Sequence, residues 1–323
     1  MSREQSKYFI QGAIGTLPTA FDKRMNIDHG KMAEYTKWWV SEGLGKPFSG
    51  LKVAAAMSEG PFMTPAEWPA LLSTVVTAAG SDANVLCALQ VGDTLRTIDD
   101  AKKAQDLGAK GLQIDLPFMS HPTQDDLYRH FSDISAKIDI GIMIYNLWWF
   151  GAEPISIDTL MKLAKNTEHV VAIKWTTPEI SPKLVPPGAD YSKAPVYDDM
   201  KKITAEFNVI DNSGQMVRCH KNGGRGFISS MICAHPASTL KVWSLLEAKK
   251  YDEAQKLQDS FDKPFGEFIG RHNKLSGAYR FVKGLMDVTG HPVGPSRPPT
   301  LPMNEEEYAD LRNVVKGFGW KTS

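Results

Sequence analysis

Two runs in this chain end in residues that could do chemistry together. Val170-Val171-Ala172-Ile173-Lys174-Trp175 carries a lysine near the end of an otherwise apolar strand. Burial there disfavours the ammonium and lowers the lysine pKa toward the neutral amine that attacks a carbonyl. The structural alternative is a lysine that closes the strand and snorkels to solvent. Ile140-Gly141-Ile142-Met143-Ile144-Tyr145-Asn146 sets a phenol at the end of another apolar run. Its hydroxyl could shuttle protons to an imine-forming lysine, or simply be the wet tip of a core aromatic. Other candidates are weaker. Gly223-Gly224-Arg225-Gly226 could cradle a phosphate, or be the turn into a strand. His235 could be a pocket acid or base, or a satisfied structural histidine. Asp211 and Ser213 could meet a hydroxylated substrate, whereas Cys219 and His220 read as a helix end without metal-ligand spacing.

The elements that must position these residues alternate. Runs rich in β-formers at residues 13–17, 51–55, 85–89, 111–116, 140–145, 170–175, 208–211 and 226–229 are candidate strands. Several are continuously apolar, as in a parallel sheet covered on both faces. Segments with helix signals separate them. Thr64-Pro65-Ala66-Glu67 and Thr123-Gln124-Asp125-Asp126 are capping sequences, and residues 101–107 have helical spacing. Eight strand–helix units predict an α/β fold, a (β/α)8 TIM barrel over residues 10–248, with a doubly wound open sheet as the alternative. In a barrel, strand C-terminal ends carry the reactive groups, which is where Lys174 and Tyr145 fall. Residues 251–268, 272–288 and 304–315 read as helices, so residues 249–323 are expected to form a small C-terminal helical domain.

Composition narrows the function. Hydrophobic residues make up 42% of the 323, enough for a large core, and 37 basic residues balance 37 acidic ones. Such a chain lacks the basic face that nucleic acid or an anionic membrane requires. The three cysteines, Cys87, Cys219 and Cys233, are too scattered for a disulfide framework or a zinc site and fit a reducing cytoplasm. Neither a signal peptide nor a membrane span is expected. A dinucleotide-dependent oxidoreductase is disfavoured, since no G-x-G-x-x-G follows the first strand.

Further motifs fall in an order that resembles one family. These are Pro18-Thr19-Ala20-Phe21-Asp22, then Glu59-Gly60-Pro61-Phe62-Met63-Thr64-Pro65-Ala66-Glu67, then Pro122-Thr123-Gln124 with Leu127-Tyr128-Arg129-His130-Phe131. Tyr145-Asn146, Ile173-Lys174, Gly226-Phe227-Ile228-Ser229 and Gly294-Pro295-Ser296-Arg297-Pro298-Pro299 follow. Over nearly its whole length the chain resembles the dihydrodipicolinate synthase/N-acetylneuraminate lyase family. The resemblance implies a Schiff base between Lys174 and a 2-oxo acid such as pyruvate, with Tyr145 moving protons. It implies substrate binding by Ala56, Met57 and Ser58, the latter two through backbone N–H groups, and by the Ile228 carbonyl. It also implies no cofactor beyond the covalent imine, and a homo-oligomer, dimer or tetramer.

Departures from the family pattern matter as much. Ala55-Ala56-Met57-Ser58 stands where the family has Gly-Thr-Thr-Gly, and Met119 replaces a tyrosine that enters a neighbour's site. Phe150 takes the position of an arginine for a second substrate's carboxylate. Together with Trp148 and Trp149, Phe150 predicts a substrate-binding wall for a bulky, apolar or aromatic half, as in a hydratase-aldolase; the other reading packs Trp148 and Trp149 against the helical tail or a neighbouring subunit. The alternatives are a 2-keto-3-deoxy sugar acid dehydratase or aldolase of the same family, and a catalytically weak 2-oxo acid binding protein.

Overall fold

The computed structural model describes residues 1–90, 92–272 and 277–322. Eight strands close a parallel barrel in chain order. They are β1 (Gly12–Thr16), β2 (Ser49–Val53), β3 (Asn84–Leu89), β4 (Gly111–Asp115), β5 (Gly141–Tyr145), β6 (Val170–Trp175), β7 (Asn208–Asp211) and β8 (Gly226–Ser229). Helices α1 (Arg3–Phe9), α2 (His29–Ser41), α3 (Glu67–Ala79), α4 (Thr94–Asp106), α5 (Gln124–Ser135) and α6 (Ile157–Asn166) accompany the first six strands. Then come α7 (Met216–Lys221), α8 (Pro236–Glu247), α9 (Tyr251–His272), α10 (Tyr279–Val288) and α11 (Glu305–Gly317). The barrel and the helical C-terminal stretch are as expected, and the open sheet is not formed. Residues 273–276 of the helix expected over 272–288 lie outside the described residues, and α10 begins at Tyr279.

Local chemistry explains the boundaries. The Thr123 hydroxyl accepts the Asp126 N–H at 3.3 Å while the Asp126 carboxylate accepts the Thr123 N–H at 2.9 Å, starting α5. Thr64 and Glu67 make the same reciprocal pair one turn before α3. One expected helix is missing: between β6 and β7 the described residues form only 3-10 turns, at Pro182–Leu184 and Tyr197–Lys202. Pro182, Pro186, Pro187 and Pro195 withhold the N–H donors a continuous helix needs.

By internal compactness the chain parts into two units: Met1–Ile14 with Asn84–Ile228, and Gly15–Ala83 with Ser229–Ser323. In the first, α1 was not anticipated from sequence. Its Ser2–Gln5 capping box fixes a short helix that delivers Ile10, fully buried, onto the starts of β4 and β5. Gly111 and Gly141 make room for it: a Cβ would lie 2.7 Å and 3.0 Å, respectively, from Ile10 Cδ1. Burying such a side chain contributes about 1.5–3 kcal/mol. Arg3 ties the helix down by donating to the Thr167 and Glu206 carbonyls at 3.1 and 2.9 Å.

In the second unit, charged residues join the loop after β2 to the segment before α11. Glu59, fully buried and in the left-handed region at φ 60°, pairs with Lys283 at 2.6 Å and accepts the Arg297 N–H at 2.8 Å. The Arg297 guanidinium donates to the Met25 carbonyl, to the Phe62 carbonyl at 3.0 Å and to the Glu67 carboxylate. Both cations lie over the Phe21 ring, at 4.3 and 4.5 Å. Buried charge persists only when paired, and two anions here meet two cations.

The Arg297 hydrogen bond holds the Glu67 carboxyl at about 2, below its ordinary 4.5. A depressed folded-state pKa contributes stability above the unfolded value and loses it as pH falls toward the folded value. The urea midpoint of Glu67→Gln should therefore lie below that of the native chain at neutral pH, with the gap shrinking between about pH 5 and 2. Parallel midpoint-versus-pH curves would show that the pair does not act this way.

Candidate active site

The site rests on strand register. Asp115, Tyr145, Lys174 and Ile210 are lateral neighbours across β4, β5, β6 and β7. That alignment depends on one irregularity. Ile142 pairs with Val170 but Met143 pairs with Ala172, so β6 carries Val171 as an extra residue. Without it Tyr145 would face Ile173, and the alternation of side chains would put phenol and amine on opposite faces. Val171 is itself fully buried, in a core cluster with Ile10, Ile14, Leu86 and Met143.

Lys174 is 6% exposed, and its Nζ lies 3.4 Å from the centre of the Tyr145 ring. Tyr145 is 8% exposed. Burial pushes its phenol well above the ordinary range and the Asp115 charge adds to this, while a hydrogen bond from Asn212 pulls the other way. The phenol is therefore held protonated, as a donor beside the amine. Asp115 and Asn212 were not singled out from sequence. Both stand at or just after the end of a strand, the signal that had pointed to Lys174 and Tyr145.

The aromatic run after β5 forms a 3-10 turn, Trp148–Phe150, closed by Gly151 at φ 98°. Trp149 is half-buried and meets the Tyr145 ring edge-on at 5.6 Å. Trp148 differs from the expectation of an open wall: it is fully buried and donates its indole N–H to the Thr176 carbonyl at 3.3 Å, so it supports Trp149 from behind. Phe150 is 59% exposed and packs on Phe118 at 5.2 Å. Trp175 is turned away, donating to the Tyr197 carbonyl at 3.0 Å.

Ala56, Met57 and Ser58 form a separate 3-10 turn within the other unit. Ala56 is exposed, Met57 half-buried and Ser58 buried. The Ser58 N–H donates to the Ala55 carbonyl at 2.9 Å, its own carbonyl accepts the Thr19 hydroxyl at 2.7 Å, and its hydroxyl is buried without a hydrogen-bond partner among the described residues. Ile228, in β8, sets a half-buried side chain against the core cluster of Ile10 and Met143.

The weaker candidates resolve as structure. Asp211 accepts the Tyr197 hydroxyl at 2.6 Å and the N–H groups of Ser213 and Gln215 at 3.1 and 2.9 Å. His235 stacks on Trp320 at 4.4 Å and caps α8. Gly224 turns against Cys219, with no room for a Cβ. Cys87, Cys219 and Cys233 are free thiols in the interior. Among the described residues there is no cluster of three or more metal-ligating side chains, and no helix long and apolar enough to cross a membrane.

The model of the dihydrodipicolinate synthetase family matches residues 9–317. The chain belongs to that family. Members are aldolase-type lyases acting through a lysine Schiff base. The 4-hydroxy-tetrahydrodipicolinate synthase of Heliobacterium modesticaldum is 25% identical over 311 residues, covering 96% of each chain. A synthase of the same name from Halalkalibacterium halodurans is 26% identical over 305 residues, 94% of this chain and 96% of that one. The crystal structure of dihydrodipicolinate synthase from Aquifex aeolicus superposes with a TM-score of 0.82 at 22% identity, covering 97% of this chain and 100% of that one, which is a likeness of fold.

Tyr145→Phe keeps the ring beneath Lys174 and removes only the hydroxyl. Turnover should fall by about 10²-fold or more, the scale of a positioned acid–base group, while circular dichroism barely changes. Near-native turnover would move the proton transfer to another group.

Proposed function

We propose that this chain is a carbon–carbon or carbon–oxygen lyase that holds a 2-oxo acid such as pyruvate as an imine of Lys174. The observation that carries the reading is the buried Lys174 amine over the Tyr145 ring, at the barrel level where both strands end. The neutral amine adds to the ketone, and loss of water from the carbinolamine leaves an iminium. Tyr145 donates a proton to the departing oxygen and recovers one later. The iminium is an electron sink. Removing the proton of a C4 hydroxyl breaks the C3–C4 bond, releases an aldehyde and leaves an enamine. Protonation at C3 and addition of water return the amine and the 2-oxo acid. Alternatively, loss of a β-hydroxyl as water gives the dehydration branch. The covalent imine takes the place of an external cofactor.

The resemblance supports giving the substrate carboxylate to Met57 and Ser58, with Ala56 and the Ile228 carbonyl as lining; since the Ser58 N–H is donated to the Ala55 carbonyl, the Ser58 hydroxyl is its available donor. It also supports a cytoplasmic homo-oligomer, dimer or tetramer. Trp149 against Tyr145, with Phe150 beyond it, supports a variable half that is bulky and apolar, aromatic aldehydes included. Hydroxyls of a sugar acid left unpaired on such a surface cost about 1–3 kcal/mol each, whereas a buried aromatic ring gains a similar amount.

Pyruvate with borohydride should add mass irreversibly to one peptide, the one containing Lys174. Lys174→Ala and Lys174→Arg should both lose the label, since a guanidinium cannot supply a neutral amine near pH 7. Labelling that survives either substitution would falsify the assignment. Retro-aldol and dehydration rates should favour aryl-substituted 2-oxo acids over 2-keto-3-deoxy sugar acids. Condensation of pyruvate with aspartate semialdehyde should be trivial, because Phe150 offers its carboxylate no cation. A preference for sugar acids would remove the apolar wall from the reading, and robust condensation would remove the role of Phe150; neither would touch Lys174.

A further inference from the structure

The connection from β6 to β7 is out of proportion to its neighbours. Ordered connections longer than about 12–15 residues without secondary structure of their own are uncommon in compact domains and usually functional. Residues 176–196 contain a single 3-10 turn, Pro182–Leu184. The segment is nevertheless tied at both ends. At its start the Thr176 carbonyl accepts the Asn146 amide at 3.2 Å and the Trp148 indole N–H at 3.3 Å. At its end the Glu179 carboxylate accepts the Tyr197 N–H at 2.7 Å.

Between these ties the segment returns to the turn after β5. The Tyr191 hydroxyl lies 2.9 Å from the Trp148 carbonyl and 3.0 Å from the Ala152 carbonyl. With one proton it donates to either, so it spans both sides of the turn. The Tyr191 ring meets Trp148 edge-on at 5.8 Å, Trp148 meets Trp149 at 5.3 Å, and Trp149 meets Tyr145 at 5.6 Å. Four rings thus run in contact from this segment to the phenol beside Lys174. Each is close to perpendicular to the next, with interplanar angles of 80°, 89° and 73°, the edge-to-face arrangement that aromatic quadrupoles favour. Trp148 cannot shift to relax the row, being fully buried with its N–H bonded. The Trp148 carbonyl also accepts the Gly151 N–H at 3.1 Å within the turn, and the Gly151 carbonyl meets His121 Nδ1 at 3.2 Å. Tyr191 is the group that ties the Trp148 and Ala152 carbonyls to the segment between β6 and β7, so the position of the half-buried Trp149 depends in part on it.

We propose that residues 176–196 are a specificity strap, in which Tyr191 acts as a positioning residue that holds Trp149 against Tyr145 and so sets the acceptance of bulky, apolar substituents on the 2-oxo acid. This deepens the function proposed above and rests on it for the role of Lys174. Tyr191 touches neither the amine nor the phenol. It acts through the backbone of Trp148 and Ala152 and through the ring of Trp148. Pyruvate, which has only a methyl group beyond its carbonyl, does not reach this wall. A 2-oxo acid with an aryl group does.

The test compares the native chain with Tyr191→Phe, which keeps the ring and removes the hydroxyl. Phenylpyruvate and pyruvate compete for borohydride capture at Lys174, and the ratio of the two adducts is read by mass spectrometry. The ratio of phenylpyruvate to pyruvate adduct should fall about tenfold, the upper worth of one lost hydrogen bond. With an aryl-substituted aldol substrate the loss should appear in KM, with kcat changed less. A purely structural role would instead lower both adducts together and leave the ratio alone. Hydrogen–deuterium exchange of the peptide spanning residues 146–152 provides a readout independent of Lys174, and it should quicken in the variant. An unchanged adduct ratio or unchanged exchange overturns the proposal. If pyruvate fails to label Lys174 even in the native chain, the imine reading falls and with it the substrate the strap would sort. The exchange comparison would then still decide whether Tyr191 holds the turn.

Discussion

The arrangement depends on a single extra residue in one strand. Val171 interrupts the pairing of β5 with β6, and from that point onward the two strands are one residue out of simple step. Side chains of a strand alternate between faces, so a shift of one residue exchanges the faces entirely. Here the shift places Tyr145 and Lys174 side by side on the same face. Val171 is accommodated because the cluster built on Ile10 receives it, and Ile10 reaches that cluster because Gly111 and Gly141 leave space. A capped helix at the N-terminus, two glycines and an apolar cluster thus combine to set the register of Tyr145 and Lys174.

Burial then defines what those side chains can do. An amine and a phenol that are both nearly inaccessible, with the amine over the ring, interact strongly with each other and weakly with bulk water. Burial and the Asp115 charge both favour the protonated phenol. In the proposed reaction, proton transfer is thereby confined to groups at one level of the barrel. Beside them the Trp149 ring meets Tyr145 edge-on, with the rings of Trp148 and Tyr191 behind it. In the proposed reading the chemistry is that of the family, and the aromatic wall is what distinguishes this chain.

The second unit shows the same economy of means in charge. Glu59 occupies a left-handed backbone position that a non-glycine residue adopts only when its surroundings compel it. Lys283 and the Arg297 backbone supply that compulsion by pairing with its carboxylate. The Gly-Pro-Ser-Arg-Pro-Pro stretch, one of the motifs that carry the family resemblance, is thus the anchor of the loop carrying Ala56, Met57 and Ser58.

Much of this was legible in the linear sequence. Strand and helix alternation, the strand ends at Tyr145 and Lys174, and the Thr123 cap are local properties, carried by apolar runs and by side chains that bond their own backbone. Helix α1 was also there to be read, in Ser2 and Gln5, but a helix of one polar capping box with few apolar residues carries little periodic signal. The missing helix between β6 and β7 could be read only as a proline-rich stretch, because its course is set by contacts with the turn after β5. The Val171 bulge, the inward burial of Trp148 and the reach of Tyr191 had no sequence signal. Each is a choice between faces or partners distant in the chain, and residue type cannot make that choice until packing excludes the other option.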